Sequence, residues 1–331
     1  MSKLELHGLS VRYGVGHRSL TAVDKVDLAV PESGTLGLVG ESGCGKSTLA
    51  RAIVGLVPIA TGRLVFAGAD CTEQKTRDAR AYRRRVQMIF QDPYSSLNPR
   101  MTVADMMNEA IYIRGAKFSG AQRKKEAVRV LELVGLSGQA LDRYPHQFSG
   151  GQRQRLAIAR ALAVGPELII SDEVTSALDV SVQATILNLL KELQREFGLS
   201  YLFISHDLSV VRYISDHVAV MYLGQVVESA PVAELFAHPR HPYTKALIAS
   251  IPHLSGKRQK APITGDLPDP RTPPQGCRFH TRCPVGPLTH PERTICIEQD
   301  PQAIEIGAEH RAACHFATAS GRDLEQVSSP A

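Results

Sequence analysis

Gly40-Glu41-Ser42-Gly43-Cys44-Gly45-Lys46-Ser47-Thr48 spells G-x-x-x-x-G-K-S/T without a substitution. Its flanks have the periodicity such a loop needs. Thr35-Leu36-Gly37-Leu38-Val39 ahead of it reads as a short buried strand, and Ser47 to Leu56 behind it reads as a helix. A strand that feeds a glycine turn and then a helix N-terminus makes an anion site. Gly40, Gly43 and Gly45 let the backbone curl and aim its N–H groups inward, and the helix dipole favours negative charge there. Lys46 supplies a point charge for the β- and γ-phosphates of a nucleotide, and the Ser47 hydroxyl a ligand for Mg²⁺. The fold class that follows is α/β, with the loop holding a nucleotide's phosphates; a phosphate loop alone does not name the activity.

Length and composition set the outer bounds. At 331 residues the chain accommodates one large domain with a smaller one, or two domains. Its 43% hydrophobic and 21% charged residues are ordinary for a globular protein. No stretch reaches the ~20 uninterrupted apolar residues of a membrane span. Met1-Ser2-Lys3-Leu4-Glu5-Leu6 lacks the apolar core of a signal peptide, which places the chain in the cytoplasm, where ATP is available. The net charge of +5 permits contact with acidic surfaces without arguing for nucleic acid. The arginine-rich run Arg77 to Arg85 has no aromatic residues arrayed for base stacking and reads as a solvated helix face. Six cysteines in a reducing compartment read as thiols or metal ligands rather than disulfides.

Along the chain, Lys3 to Val11 and Val23 to Val30 read as strands of an antiparallel portion ahead of the loop. Tyr13 falls at a loop position between them, where a ring could equally pack or stack on a base. Thr61 to Gly68 looks like a hairpin with glycine at its turns. Val86-Gln87-Met88-Ile89-Phe90 is a compact strand that delivers Gln91, an amide able to reach a metal or a water. From Thr102 to about Leu136 the apolar positions recur at helical spacing, which implies a helical insertion. Phe148-Ser149-Gly150-Gly151-Gln152 then precedes an alanine-rich helix from Leu156 to Val164. Ser149 there can cap a helix while Gly150 and Gly151 expose N–H groups, either as a plain cap or as a second anion terminus.

Glu167 to Glu173 is an apolar strand that ends in two adjacent carboxylates. Because side chains alternate along a strand, Asp172 and Glu173 point apart and take different roles, one toward Mg²⁺ and one toward an attacking water. Ser176-Ala177-Leu178-Asp179 leads into an amphipathic helix from about Ser181 to Phe197. Leu199 to Ser205 is then a strand that brings His206 to the carboxyl edge of the sheet, where ligands bind in α/β folds.

The order and spacing of these signals resemble the ATPase subunit of ABC transporters over most of the chain before residue 240. The resemblance implies a RecA-like core, an antiparallel β subdomain and a helical subdomain at about residues 95–160. It identifies Gly40 to Thr48 as the Walker A loop, Gln91 as the Q-loop glutamine, and Ser149, Gly150, Gly151 and Gln152 as the signature motif. Leu168 to Asp172 resembles Walker B, Glu173 the catalytic carboxylate, Asp179 the end of the D-loop, His206 the switch histidine and Tyr13 the adenine-stacking aromatic. Two subunits would then close head to tail, with ATP on one Walker A loop capped by the signature motif of the other. Two departures stand out: Phe148 replaces the usual leucine before the signature serine, and Val174 stands where the family has proline.

Beyond His206 the sequence narrows the type. Asp216 to Ala230 reads as a strand pair around Leu223-Gly224-Gln225, and Val232 to Ala237 as a short helix. His241-Pro242-Tyr243-Thr244, with Ser95-Ser96-Leu97-Asn98-Pro99, resembles the ATP-binding subunits of oligopeptide and dipeptide ABC importers. That resemblance divides the chain into a nucleotide-binding domain, 1–250, and a C-terminal extension, 251–331. It implies a second, related ATPase chain, two membrane permease subunits, an external solute-binding protein, no nucleic acid, and a peripheral place on the cytoplasmic face of the inner membrane. The cargo remains open between peptides and another solute such as a nickel chelate. A non-transport ABC ATPase and a metal or redox regulator are the rival readings. Pro252 to Pro274 reads as a linker and the residues from Thr318 onward as a tail. Between them lie Cys277, Cys283, Cys296 and Cys314, in a segment poor in apolar residues that would gain from a metal staple. Four thiolates suit Zn²⁺ or an iron–sulfur cluster, and the lack of a C-x-x-C pair weakens zinc. The resemblance to the peptide importers implies a 4Fe-4S cluster. Cys44 and Cys71 stand apart from this set.

Overall fold

Short apolar runs become the centre of a twisted sheet because they are buried on both faces. The structure, a computed structural model, describes residues 1–14, 19–73, 77–115, 118–176, 178–251 and 265–317. Most of the expected linker, 252–264, and the expected tail, 318–331, lie outside the described residues, as does Ala177.

The strands in chain order are β1 (Ser2–Tyr13), β2 (Leu20–Pro31), β3 (Thr35–Val39), β4 (Thr61–Phe66), β5 (Ala69–Asp70), β6 (Val86–Ile89), β7 (Leu168–Asp172), β8 (Ser200–Ile204), β9 (His217–Tyr222), β10 (Gln225–Pro231), β11 (Ile304–Gly307) and β12 (His310–Ala312). They form two sheets, β2-β1-β4-β5 and β11-β12-β10-β9-β3-β8-β7-β6. The first is antiparallel throughout. In the second, β9, β3, β8, β7 and β6 run parallel, and every residue of β3, β7 and β8 is buried.

Register decides where the site falls. Leu38 and Asp172 both lie opposite Ile204, and Ile89 opposite Ser171, so the carboxyl ends of β3, β8, β7 and β6 are nearly level. The residues that follow these strands, Gly40, His206, Glu173 and Gln91, are therefore delivered to one edge.

The β2-β1-β4-β5 sheet packs with the helix Lys46–Ile53, whose Leu49, Ala50, Ala52 and Ile53 are fully buried, in one apolar core. A second core joins the parallel sheet to the helices Val103–Ile113, Gly120–Leu133 and Gly150–Ala163. Thr102, Ser119 and Ser149 begin these helices with capping boxes to Asp105, Gln122 and Gln152, each pairing two otherwise orphaned groups.

Two expectations shift. The helix expected from Leu156 starts at Gly150, because the Ser149–Gln152 box closes its first turn and Gly151 admits the Val182 side chain, which a Cβ would meet at 2.7 Å. Tyr13 is not in a loop but is the last residue of β1, since its pairing with Leu20 carries the ladder further than the alternation of Lys3 to Val11 shows. The β9–β10 turn forms at Leu223-Gly224, with both φ values positive (41° and 86°), as a two-residue hairpin needs.

Residues 265–317 pack against the rest of the chain. β12 adds to the main sheet beside β10, with Glu228 opposite Ala312. Glu228, whose side chain is fully buried, accepts hydrogen bonds from the N–H groups of Arg240 (2.7 Å) and His241 (2.8 Å) and pairs with His310 Nε2 at 2.8 Å. A buried carboxylate surrounded this way is satisfied from three directions. Phe279 is 1% exposed and, with Cys283, joins the apolar core that the parallel sheet shares with its helices. The segment thus borrows apolar cover that its own sequence lacks.

Candidate functional site

The edge defined by the strand ends opens into a cleft of about 280 Å³. Tyr13, Ser42, Gly43, Gly45, Lys46, Ser47, Thr48, Gln91 and Glu173 line it, with Leu223, Gly224 and Pro270. The glycine loop reaches its shape by close backbone contact. A Cβ on Gly40 would lie 2.1 Å from Met221 O, and one on Gly45 2.3 Å from Ala22 O. Lys46 is 5% exposed, and its ammonium donates to Gly40 O (2.8 Å) and Glu41 O (2.9 Å), with Cys44 Sγ at 3.7 Å. Burial pushes the Cys44 thiol above its ordinary pKa, so it contributes no negative charge beside Lys46.

Asp172 and Glu173 point apart, as alternation along β7 requires. Ser47 Oγ donates to Asp172 Oδ1 at 3.0 Å. Asp172 is 3% exposed, and burial raises its pKa; the Ser47 hydrogen bond opposes that shift and the Glu173 charge adds to it. A buried carboxylate paired with one hydroxyl supplies oxygen donors of the kind a divalent cation takes. Glu173 leaves the strand with φ 49°, in the left-handed region, its N–H bonded to Ile204 O at 3.0 Å. That turn swings its carboxylate to meet Gln91 Nε2 at 2.9 Å and His206 Nδ1 at 3.3 Å. Gln91, Glu173 and His206, from three different strand ends, so converge on one carboxylate. Val174 beside it is 2% exposed, in the core. Tyr13 Oη lies 3.5 Å from Thr48 Oγ1, at the rim, and its ring is 37% exposed.

Other residues named from the sequence lie elsewhere. Ser149, Gly150 and Gln152 are exposed at their helix start, away from the cleft lining, while Phe148 is buried under the Arg143 guanidinium, 4.3 Å from its ring centroid. Asp179 is exposed at the N-cap of the helix Val180–Phe197.

All four C-terminal cysteines are free thiols. Cys283, Cys296 and Cys314 are buried at 9%, 7% and 9% exposure. Burial pushes the thiols of Cys277 and Cys283 up to about 12 and that of Cys314 to about 11, and the neighbouring cysteines add to each shift. The four are close enough to feel one another's charge, and the donor types suit a soft metal centre. Their side chains do not close into a coordination shell. Among the described residues, no group of three or more His, Cys, Asp or Glu side chains is assembled to hold a metal ion.

The sequence did not reveal what reaches the loop from the C-terminal end. Arg282 makes a bidentate pair with Glu41, Tyr243 Oη accepts from the Glu41 N–H, and Pro270 lines the cleft. Arg278 donates to Leu223 O and pairs with Asp24. His-Pro-Tyr-Thr marks the position of Tyr243, but no local pattern ties it or Arg282 to residues more than two hundred positions earlier.

A phosphate loop, paired carboxylates, a glutamine and a histidine at level strand ends define an ABC-type ATPase. The "ABC transporter" family matches residues 23–176, and the "Oligopeptide/dipeptide transporter, C-terminal region" family matches residues 227–286. The chain is 47% identical over 316 residues to the oligopeptide transport ATP-binding protein AppF of Bacillus subtilis (strain 168), covering 92% of this chain and 93% of that protein. It belongs to the oligopeptide/dipeptide branch of the ABC transporter ATP-binding proteins. Among solved structures it is similar to the ATP-binding cassette MJ0796 in a dimeric post-hydrolysis state with ADP and Pi. That likeness has a TM-score of 0.63 and 29% identity, over 69% of this chain and 98% of that one. It is also similar to cbiO1 of Clostridium perfringens, part of the ABC transporter complex cbiONQ. There the TM-score is 0.64 and the identity 26%, over 72% of this chain and 91% of that one. Among the described residues no helix is long and apolar enough to cross a membrane.

Proposed function

We propose that this chain is the ATPase subunit of a peptide importer, hydrolysing ATP at the interface of two such subunits to drive uptake of di- or oligopeptides through separate membrane subunits. The observation that carries the reading is the Glu173 carboxylate held between Gln91 and His206 at the mouth of the phosphate loop. Tyr13 receives the adenine ring, the backbone N–H groups of Gly43 to Thr48 the phosphates, and Lys46 the β- and γ-oxygens. Ser47, Asp172 and Gln91 are the residues that would hold Mg²⁺, which when bound neutralises charge on the phosphate oxygens. Glu173 orients and polarises the attacking water, and His206 stabilises charge that builds on the γ-phosphate. Ser149, Gly150, Gly151 and Gln152 serve the facing subunit's ATP, and Asp179 lies at the same junction; the exposure of Ser149, Gly150, Gln152 and Asp179 supports this.

The second ATPase is a related chain, so the pair is a heterodimer. It works with two permease subunits at the cytoplasmic face of the membrane and, through them, with an external solute-binding protein. The domain division lies near residue 250. Purification from membranes in mild detergent is expected to yield a complex with two integral-membrane subunits, whose ATPase rises when peptide-loaded binding protein is added. Recovery of the chain on ribosomes or DNA, without membrane subunits, would refute the reading.

The cysteine set belongs to the same proposal. Cys277, Cys283, Cys296 and Cys314 hold a 4Fe-4S cluster rather than Zn²⁺. Four cysteines without a disulfide, in a segment poor in its own apolar core, support this; their side chains would have to turn toward one another to hold the cluster, which would relieve the burial of the thiolates. Anaerobic protein is expected to be brown, absorbing at about 400 nm, with the colour lost on replacing any of the four. Colourless protein with stoichiometric zinc would overturn the assignment.

A further inference from the structure

Glu41 occupies a variable position of the glycine-loop motif, yet each of its polar groups is committed. Its carboxylate accepts from both terminal nitrogens of Arg282, with Oε2 at 2.8 Å and Oε1 at 3.0 Å. Fork-to-fork pairing of this kind fixes orientation as well as distance. The Arg282 side chain is 6% exposed, and its Nη1 also lies 3.3 Å from Tyr222 Oη. The Glu41 N–H donates to Tyr243 Oη at 2.9 Å. Tyr243 is fully buried, its ring packed against Tyr222 and Phe279 at centroid distances of 4.7 and 5.3 Å. The remaining group, Glu41 O, accepts from Lys46 Nζ at 2.9 Å and from the Cys44 N–H at 3.3 Å.

A physical chain therefore runs from the C-terminal region to the lysine. An ammonium has three protons. Gly40 O and Glu41 O take two, and the long contact to Cys44 Sγ is the one a phosphate oxygen would replace. Tyr243 holds the N–H of the Gly40–Glu41 peptide, and because that peptide is planar it also fixes Gly40 O, the nearer acceptor of the Lys46 ammonium. Arg282 holds the Glu41 side chain and so the Cα from which Glu41 O, the second acceptor, is carried.

We propose that Arg282 and Tyr243 are positioning residues of the nucleotide site: by gripping Glu41 from outside the loop, they set where the Lys46 ammonium stands. The C-terminal region is on this view a working part of ATP binding. The inference rests on the ATPase reading above.

The test uses the full-length chain, with a fluorescent ATP analogue for binding, and the intact complex for steady-state kinetics. Arg282→Met and Glu41→Gln are each expected to weaken nucleotide binding and raise KM for ATP about five- to tenfold, with kcat within about twofold. Arg282→Lys should recover part of the loss, since charge returns without the fork. The double variant should lose no more than either single one, because both break the same link. Tyr243→Phe, which removes one oxygen and keeps the packing, should raise KM in the same direction. It carries the test should Arg282→Met fail to fold. Variants that melt like the parent and bind the analogue equally well would overturn the proposal. So would additive losses in the double variant, or a fall in kcat at unchanged KM. If the parent chain itself bound no nucleotide, the ATPase reading would be at fault instead.

Discussion

Glu173→Gln is expected to slow ATP turnover by roughly 10²–10⁴-fold while nucleotide affinity stays within about threefold, because the change removes a charge and a proton acceptor but no volume. The amide oxygen of the new side chain can still accept from Gln91 Nε2, so the 2.9 Å contact that places the group survives. The contact to His206 Nδ1 weakens, since an amide is a poorer hydrogen-bond partner than a carboxylate. The left-handed backbone at residue 173, φ 49°, is a property of the turn, held by the N–H to Ile204 O, and it is unaffected. Phosphate release in the assembled complex, set beside equilibrium binding of ATP, separates the two effects. Near-parental hydrolysis would show that Glu173 does not orient the water.

Gly45→Ala is the second large effect, and its cause is steric. Gly45 has φ 110°, and a Cβ there would lie 2.3 Å from Ala22 O, a backbone atom of β2 that cannot move without disturbing its pairing with β1. Strain and overlap together are expected to cost about 2–4 kcal/mol. Because Gly45 is the N-cap of the helix that begins at Lys46, the displacement falls on the helix start itself. Nucleotide binding should drop by about a hundredfold or more, since both the N–H cradle and Lys46 move. Gly68→Ala is the control: φ is 79° there too far from an ordinary helix or strand, but nothing lies within 4 Å of the added carbon. It should cost about 1–2 kcal/mol, the backbone term alone, and leave binding intact. Melting curves and nucleotide titrations of the two variants distinguish overlap from strain.

The sequence made the catalytic edge easier to read than the rest of the fold. β3, β7 and β8 are buried on both faces, so each is a continuous apolar run. Each ends on a residue whose chemistry is conspicuous: Gly40, the Asp172-Glu173 pair and His206. What stayed hidden depends on contacts between distant positions. Ser149 reads as a cap in the sequence, but that the helix begins at Gly150 rather than Leu156 shows only when the Ser149–Gln152 box and the Val182 side chain are seen together. β11 alternates only over Ile304-Glu305-Ile306 and β12 is the three residues His310, Arg311 and Ala312, too short to read as strands; β12 exists because β10 offers it an edge. Arg282 looks like one more surface cation in the sequence, and only the fold brings it to Glu41, 241 positions away.

The pairing of β12 with β10 also bears on solubility. A bare strand at the rim of a sheet is a template on which a second molecule can zip. Here the rim next to β10 is taken by β12, and the outermost position falls to the short strand Ile304–Gly307, which carries Glu305. Shortening the chain ahead of residue 310 would uncover β10 and leave Glu228 without His310, joining an adhesive rim to a buried carboxylate that keeps only the N–H groups of Arg240 and His241. Removal of the C-terminal region is therefore expected to lower solubility as well as stability.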